Sequence, residues 1–165
     1  MELLECHLAI DDLDAFVGDL GEIGDRHGTT VQAFDARYVA DRRHPERAVE
    51  LADRAISRGE NVARDRAVEI LLYAAGRRQI DRALEMGVGE GENRAVVLAD
   101  GGDESAALAD VRGLDAFAGV ESTLEKPHEE TLESFFEITD AERGATDASL
   151  GALVRERVVL LEVEK

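Results

Sequence analysis

The chain of 165 residues is poor in cysteine, lysine and proline, and it contains no tryptophan. Its one cysteine, Cys6, excludes an internal disulfide and a cysteine-based zinc site. No run of about 18 apolar residues is present, so the sequence predicts no membrane-spanning helix and no membrane partner. The N-terminal MELLECHLAI has neither a basic stretch nor a small-residue cleavage site, and we therefore expect an intracellular, cytoplasmic protein.

Acidic side chains outnumber basic ones by 37 to 19, and only Lys126 and Lys165 are lysines. A surface rich in carboxylates and poor in lysine is typical of halophilic proteins, which work in molar salt. At about 1 M salt the Debye length falls to about 3 Å. A net charge of −18 would then not repel a nucleic acid at a distance, so the composition does not exclude an RNA partner.

Positive charge is concentrated in the middle of the chain. Residues 37–82 hold 11 arginines and 8 acidic residues, whereas the rest of the chain holds 8 basic and 29 acidic residues. A local excess of arginine indicates a region that contacts an anion. Salt bridges between these arginines and the acids interleaved with them are the alternative explanation.

Hydrophobic periodicity predicts alternating helices and strands without an internal repeat or a linker. Strands are expected at 2–10, 29–39 and 94–100, and helices at 11–27, 44–58, 80–87, 104–111, 128–138 and 140–144. The segment from about Asp147 is predicted to be a helix, with a terminal strand at 157–163 as the alternative. The expected fold is α+β: a single compact domain, 1–165, with a mixed, mostly antiparallel sheet packed by several helices.

The segment AVEILLYA, residues 67–74, is apolar on both faces and leads into Ala75–Gly76. Its length and the glycine break favour a buried strand, although the end of a helix begun at Ala63 is the alternative. A strand followed by a glycine turn and a helix start is a geometry that binds anions, because unpaired N–H groups point outward there. The sequence therefore predicts an anion site around Gly76.

Two arginines, Arg77 and Arg78, stand at the predicted helix start, where acids would suit the helix dipole better. Residues that depart from the preference of a helix start for acids, without stabilising the helix in another way, indicate a functional role. Guanidinium groups bind phosphate through paired hydrogen bonds, and the amide of Gln79 can read a base edge. Pairing of the arginines with surface acids such as Asp81 is the alternative.

Signatures of catalysis are missing from the sequence. The four histidines lack zinc-binding spacing, and there is neither a P-loop nor a nucleophile elbow. Nothing in the sequence therefore argues for an enzyme, with catalytic residues, a metal, a cofactor or a small-molecule substrate, although an enzyme that acts on a small molecule stays a remote alternative.

Four motifs lie between residues 39 and 88: H-x-x-x-A at 44–48, G-E-N-V-A at 59–63, V-E-I-L-L-Y-A-A-G at 68–76, and R-R-Q-I-D-R-A-L at 77–84. On these motifs the chain resembles the Cgi-type accessory subunit of the KEOPS complex, the family that includes the PRPK-binding protein. Members of that family often carry serine before the turn glycine, where this chain has Ala75. The resemblance covers the middle of the chain, and the remainder is unspecific.

The resemblance implies a non-catalytic subunit of a complex that places threonylcarbamoyl on adenosine in tRNA. This subunit would bind the small atypical kinase of the complex and recruit tRNA through its single-stranded 3′ CCA end. Single-stranded RNA is bound through its phosphates and unstacked bases. The expected nucleic-acid contacts are Gly76, Arg77, Arg78, Gln79, Asn61 and His44. A module that activates the kinase without touching RNA is the alternative function.

For the kinase contact we expect an apolar surface, because interfaces depend on a buried apolar centre. The predicted last helix carries such a face, made of Leu150, Leu153, Val154 and Val158. The alternative is that this face closes the protein's own core.

Overall fold

A computed structural model describes residues 1–164 of the chain, and among them it contains one four-stranded sheet and eight α-helices. The strands are β1 (Glu2–Ile10), β2 (Thr30–Asp35), β3 (Gly91–Asp100) and β4 (Phe117–Val120). The helices are α1 (Leu13–His27), α2 (Arg43–Ser57), α3 (Arg66–Ala75), α4 (Ile80–Ala83), α5 (Glu104–Arg112), α6 (Glu129–Phe135), α7 (Asp140–Gly144) and α8 (Leu150–Glu164). The predicted α+β class with an antiparallel sheet is confirmed.

Contacts group the residues into two compact units, each built from two separate segments. The first unit comprises 1–36 and 87–125, and the second comprises 37–86 and the chain from Lys126 onward. The first unit therefore holds the sheet with α1 and α5, and the second is helical. The single domain over 1–165 stays a prediction.

In the first unit the strands lie in the order β2-β3-β1-β4, and every neighbouring pair is antiparallel. Alternate residues of β1, Leu4, Cys6, Leu8 and Ile10, are buried in a cluster that also contains residues of α1 and α5. Burial raises the pKa of the Cys6 thiol to about 11, so this group stays protonated at neutral pH. Strand β4 was not predicted; it is only four residues long and alternates between half-buried and exposed residues.

Helix α1 follows the rules for helix ends that its sequence suggests. The Asp12 side chain accepts a hydrogen bond from the Ala15 N–H at 3.1 Å, and Gly28 ends the helix with a φ of +64°. Its apolar residues Phe16, Leu20 and Ile23 are buried on one side. The capping residues and the hydrophobic periodicity therefore indicate the same helix, and α1 was predicted correctly.

The predicted strand at 67–74 is wrong, because α3 occupies these residues. The Asp65 side chain accepts from the Ala67 N–H at 2.8 Å and starts the helix, and Gly76 ends it with a φ of +62°. Every residue of α3 from Glu69 to Ala75 is buried. A helix buried on all sides shows no apolar stripe, so its sequence looked like that of an interior strand.

Helix α8 packs against α2 and α3 in the second unit. The apolar face predicted to bind the kinase is inside this packing: Leu150 is 6% exposed, Leu153 is 3% exposed, and Val154 and Val158 are fully buried. The prediction of a docking surface at these four residues is therefore wrong, and the face closes the protein's own core. The alternative of a terminal strand at 157–163 is also wrong for the described part of that segment.

Shorter helices are attached to α8 by arginine. The Arg157 guanidinium binds Glu142 of α7 at 2.9 Å and donates to the Phe136 carbonyl at 3.1 Å. Arg143 of α7 in turn binds Glu133 of α6 at 3.1 Å. None of the helices among the described residues has the length and apolar character needed to cross a bilayer.

Candidate nucleic-acid interface

An open cleft of about 700 Å³ lies in the second unit, which we call the 60–79 cleft. Its described walls are Glu60, Val62, Arg78, Gln79 and Glu162. The first two belong to the loop after α2, the next two to the segment between α3 and α4, and the last to α8. Side chains from three separate parts of the chain thus meet around one concave surface.

The segment 76–79 is held by the end of α3. Gly76 adopts a left-handed conformation, and the Arg77 N–H donates to the Leu72 carbonyl at 3.1 Å. A Cβ at position 76 would lie 3.1 Å from the Arg157 carbonyl oxygen, so glycine also permits close contact with α8. The predicted strand before this turn is wrong, because α3 replaces it, whereas the turn at Gly76 and a helix that begins at Ile80 are both present. Helix α4 has only four residues, so the anion site that we expected from its first turn is withdrawn.

The two arginines of the segment have different environments. Arg77 is half-buried; its guanidinium donates to the Phe135 carbonyl and lies 5.0 Å from the centre of the Phe135 ring. It is not among the described residues that line the cleft. Arg78 and Gln79 are exposed on the cleft wall. The structure therefore gives Arg77 a supporting role and leaves Arg78 and Gln79 as the contact candidates.

The opposite wall is organised by a buried carboxylate. Glu69 of α3 is fully buried, and its Oε1 accepts from the N–H groups of Val62 and Ala63 at 3.0 and 2.9 Å. Asn61 is half-buried, and its Nδ2 donates to the Ala63 carbonyl at 2.9 Å. Asn61 was predicted to contact RNA, but here it braces the loop and does not line the cleft among the described residues.

Replacing Glu69 tests how much the loop depends on this carboxylate. We expect Glu69→Ala to lower the free energy of unfolding by about 2 kcal/mol, because two backbone donors lose their acceptor. Denaturant titration followed by circular dichroism measures the change. Glu85→Ala is the control, since its carboxylate is half-exposed and its loss should change stability by at most about 0.5 kcal/mol. Equal effects of the two variants would contradict the bracing role.

His44 was predicted to line the RNA site, and this prediction is wrong. The ring is fully buried, its Nδ1 accepts from the Ala40 N–H at 3.1 Å, and its Nε2 donates to the Ala74 carbonyl at 2.7 Å. Both nitrogens are thus used to join the start of α2 to the end of α3. Burial lowers the pKa of His44 to about 4, against the smaller opposing effects of the Ala74 carbonyl and Asp41.

The charge around the cleft differs from the cationic pocket that the arginines suggested. The described walls carry one guanidinium, from Arg78, and two carboxylates, from Glu60 and Glu162. Arg54 of α2 lies 3.4 Å from Glu162 Oε2, while Arg47 pairs with Glu50 at 2.7 Å. Part of the local arginine excess therefore serves salt bridges, as the alternative explanation held, and the cleft itself is rich in hydrogen-bond acceptors.

Part of this site was predicted from the sequence, and part was not. Arg78 and Gln79 were singled out, whereas Glu60 and Val62 were quoted only as part of the G-E-N-V-A motif. Glu162 gave no signal, because its position on the cleft depends on how α8 packs. No group of three or more metal-ligating side chains occurs within the described residues.

A scan against models of protein families and a search of curated proteins both gave no match.

Proposed function

We propose that this chain is a non-catalytic RNA-binding adaptor, a KEOPS-type accessory subunit that acts in the cytoplasm. It would bind the small atypical kinase of that complex and recruit tRNA by its 3′ CCA end to the 60–79 cleft. The resemblance of residues 39–88 to the Cgi-type family motivates the assignment. The proposal needs neither a cofactor nor a small-molecule substrate.

One observation supports the proposal above the others. Two motifs of the resemblance, G-E-N-V-A at 59–63 and R-R-Q at 77–79, are separated by a whole helix in sequence, yet each supplies two walls of one cleft. Their convergence fits a common ligand.

The chemistry of the walls suits a flexible nucleotide tail. Arg78 is exposed and can contact a phosphate, and Gln79 offers an amide that can pair with a base edge. Val62 is 48% exposed and gives an apolar surface for a base face. Single-stranded RNA is bound through this combination of phosphate, edge and face contacts.

Removing the cleft guanidinium tests the RNA role. In molar salt we expect Arg78→Ala to weaken binding of intact tRNA about tenfold, through loss of a charge-assisted hydrogen bond. Fluorescence anisotropy with labelled tRNA measures the affinity, and removal of the CCA end should weaken binding to the wild-type protein at least as much. Association with the kinase, followed by co-purification, should persist in the variant.

Arg112→Ala provides the matched control, because it removes an exposed arginine from α5 in the first unit. It should leave tRNA affinity unchanged within about twofold if the effect of Arg78 is local rather than a matter of net charge. Unchanged affinity in Arg78→Ala, together with indifference to the CCA end, would contradict an RNA site at this cleft.

The second candidate function is a module that activates the kinase without contacting RNA. Exposed apolar side chains favour it: Ile80 is 44% exposed on α4, and Leu84, just after it, is 56% exposed. Contiguous exposed apolar surface is typical of protein contacts, and these two residues are four positions apart in sequence. This function predicts that Leu84→Glu abolishes kinase association, while no variant of the cleft changes tRNA binding.

A further inference from the structure

One histidine of the first unit lies between two carboxylates. His7 of β1 is paired with Arg94 of β3 on one side and with Gly119 of β4 on the other. Its Nε2 forms a hydrogen bond with the Glu92 carboxylate of β3, and its Nδ1 lies 3.7 Å from Oε2 of Glu121, just after β4. The ring therefore joins residues from both neighbours of β1 on one face of the sheet.

The positions of these carboxylates call for a proton on both ring nitrogens. A neutral imidazole has one N–H and one bare nitrogen, so either neutral form would place a lone pair against a carboxylate oxygen. Glu121 Oε2 is buried and accepts no hydrogen bond from the described residues, and an imidazolium would supply a positive charge that faces it. The hydrogen bond with Glu92 raises the pKa of His7 above its ordinary value of 6.5, and the charges of both carboxylates act in the same direction, against the effect of desolvation.

The chain just after β4 passes over the same face of the sheet, and we call residues 121–124 the strap. The Thr123 hydroxyl donates to the Ala95 carbonyl of β3 at 3.0 Å, and the Leu124 N–H donates to the Glu5 carboxylate of β1 at 2.7 Å. Because β1 lies between β4 and β3, a chain that leaves β4 and reaches β3 must cross β1. The strap is thus held at its first residue by the histidine and further along by two hydrogen bonds.

Among the charged groups around the ring, the imidazole is the one suited to change its charge near neutral pH. The described groups that face it are the carboxylates of Glu5, Glu92 and Glu121 and the guanidinium of Arg94, which lies 3.5 Å from Glu121 Oε1. Carboxyl and guanidinium groups ordinarily titrate outside the range of about pH 6 to 9, whereas an imidazole titrates within it. Helices α1 and α5 pack against the opposite face of β1, so their charges do not face the ring.

We propose that His7 is a pH-sensitive clamp, which holds the strap on the sheet through Glu121 while the ring is charged and loosens the strap when the proton leaves. Because folding raises the pKa of the ring, the clamp is complete below about pH 6.5 and is lost as the pH rises through the raised value. The hydrogen bonds of Thr123 and Leu124 remain, so we expect loosening rather than detachment. All of these groups lie in the first unit, and the clamp is therefore independent of the RNA-binding proposal.

Nuclear magnetic resonance of the wild-type protein tests the charge of the ring. We expect long-range proton–nitrogen spectra at pH 6 to show both nitrogens of His7 protonated, with one proton lost at a higher pH than in an unperturbed imidazole. The signals are assigned by their absence from the spectrum of His7→Gln. A ring that is neutral at pH 6 would overturn the clamp.

Hydrogen exchange measures the strap itself. At constant molar salt, peptides that cover residues 117–125 should lose protection about threefold between pH 6 and pH 9, after correction for the intrinsic pH dependence of exchange. His7→Lys keeps a cation throughout this range and should show no such fall, whereas His7→Gln should have low protection already at pH 6. His128→Gln removes an imidazole from the second unit and should behave as the wild type does.

The exchange experiment has three outcomes that would overturn the clamp. One is strap protection that does not depend on pH in the wild-type protein. Another is a fall of the same size in His7→Gln, because another group would then be responsible. The third is an equal loss in peptides of β1 and β3, which would mean that the whole sheet opens rather than the strap.

Discussion

Acidification from pH 6.5 to pH 4 is expected to lower the free energy of unfolding by about 3 kcal/mol through His44 alone. The pKa of this buried ring is about 4 in the folded protein, against about 6.5 in an unfolded chain. Between these values the unfolded state binds more protons than the folded state, so stability falls as the pH falls. Above about pH 7.5 the group is neutral in both states and its contribution is constant.

The variant His44→Gln isolates this effect from the many carboxylates that also titrate. The variant should be less stable than wild type at pH 7, because the ring joins Ala40 to Ala74 through two backbone hydrogen bonds. The difference in free energy of unfolding between wild type and variant should shrink by about 3 kcal/mol as the pH falls to 4. Only the wild type has an imidazole that is neutral when folded and becomes protonated on unfolding. Denaturant unfolding at constant molar salt measures both curves, and parallel curves would contradict a buried neutral His44.

Gly102→Ala is expected to lower the free energy of unfolding by about 3 kcal/mol, through a clash added to backbone strain. Gly102 has a φ of +55°, and a Cβ there would overlap the carbonyl oxygens of His27 and Gly28 and lie 2.7 Å from the Gly28 carbonyl carbon. These are backbone atoms, so relief requires movement of the turn. The Asp103 N–H donates to the same His27 carbonyl at 3.1 Å, and movement would disturb that bond.

The matched control for this substitution is Gly28→Ala. Gly28 has a similar φ of +64°, but an added Cβ would meet no atom within 4 Å. It should therefore cost only the conformational strain, about 1 kcal/mol. Thermal and denaturant unfolding of both variants measure the two losses of stability. Equal losses would mean that the close approach of Gly102 to the end of α1 does not add to the cost of the substitution.

Helices with visible caps and one apolar stripe could be predicted from the sequence, as α1 demonstrates. Helix α3 could not, because burial on all sides removes the periodicity on which the prediction depends. The Asp65 cap was the one local signal for its start, and it lies outside the apolar run. Strand β4 forms by pairing with β1. A pattern of four residues does not predict such a pairing, because strand preference depends on the neighbouring strand.

The candidate site was only partly predictable for a related reason. Two exposed polar residues of a motif, Arg78 and Gln79, do lie on the cleft. Other polar residues of the motifs instead form hydrogen bonds with main-chain groups. His44 and Arg77 do so, since their side chains bind main-chain groups inside the second unit. Only burial separates these two classes, and burial follows from tertiary packing. Glu162 belongs to a helix that no motif links to the cleft.

The order of strands in the sheet bears on how the chain folds during synthesis. Strand β1 lies between β3 and β4, and β3 begins only at Gly91. When β1 leaves the ribosome, neither of its hydrogen-bonding neighbours has yet been made. Pairing across such sequence distances is slow, and an unpaired strand is prone to aggregate. Nascent chains that stop before β3 should therefore depend on chaperones, whereas those that extend past β4 can close the sheet on their own.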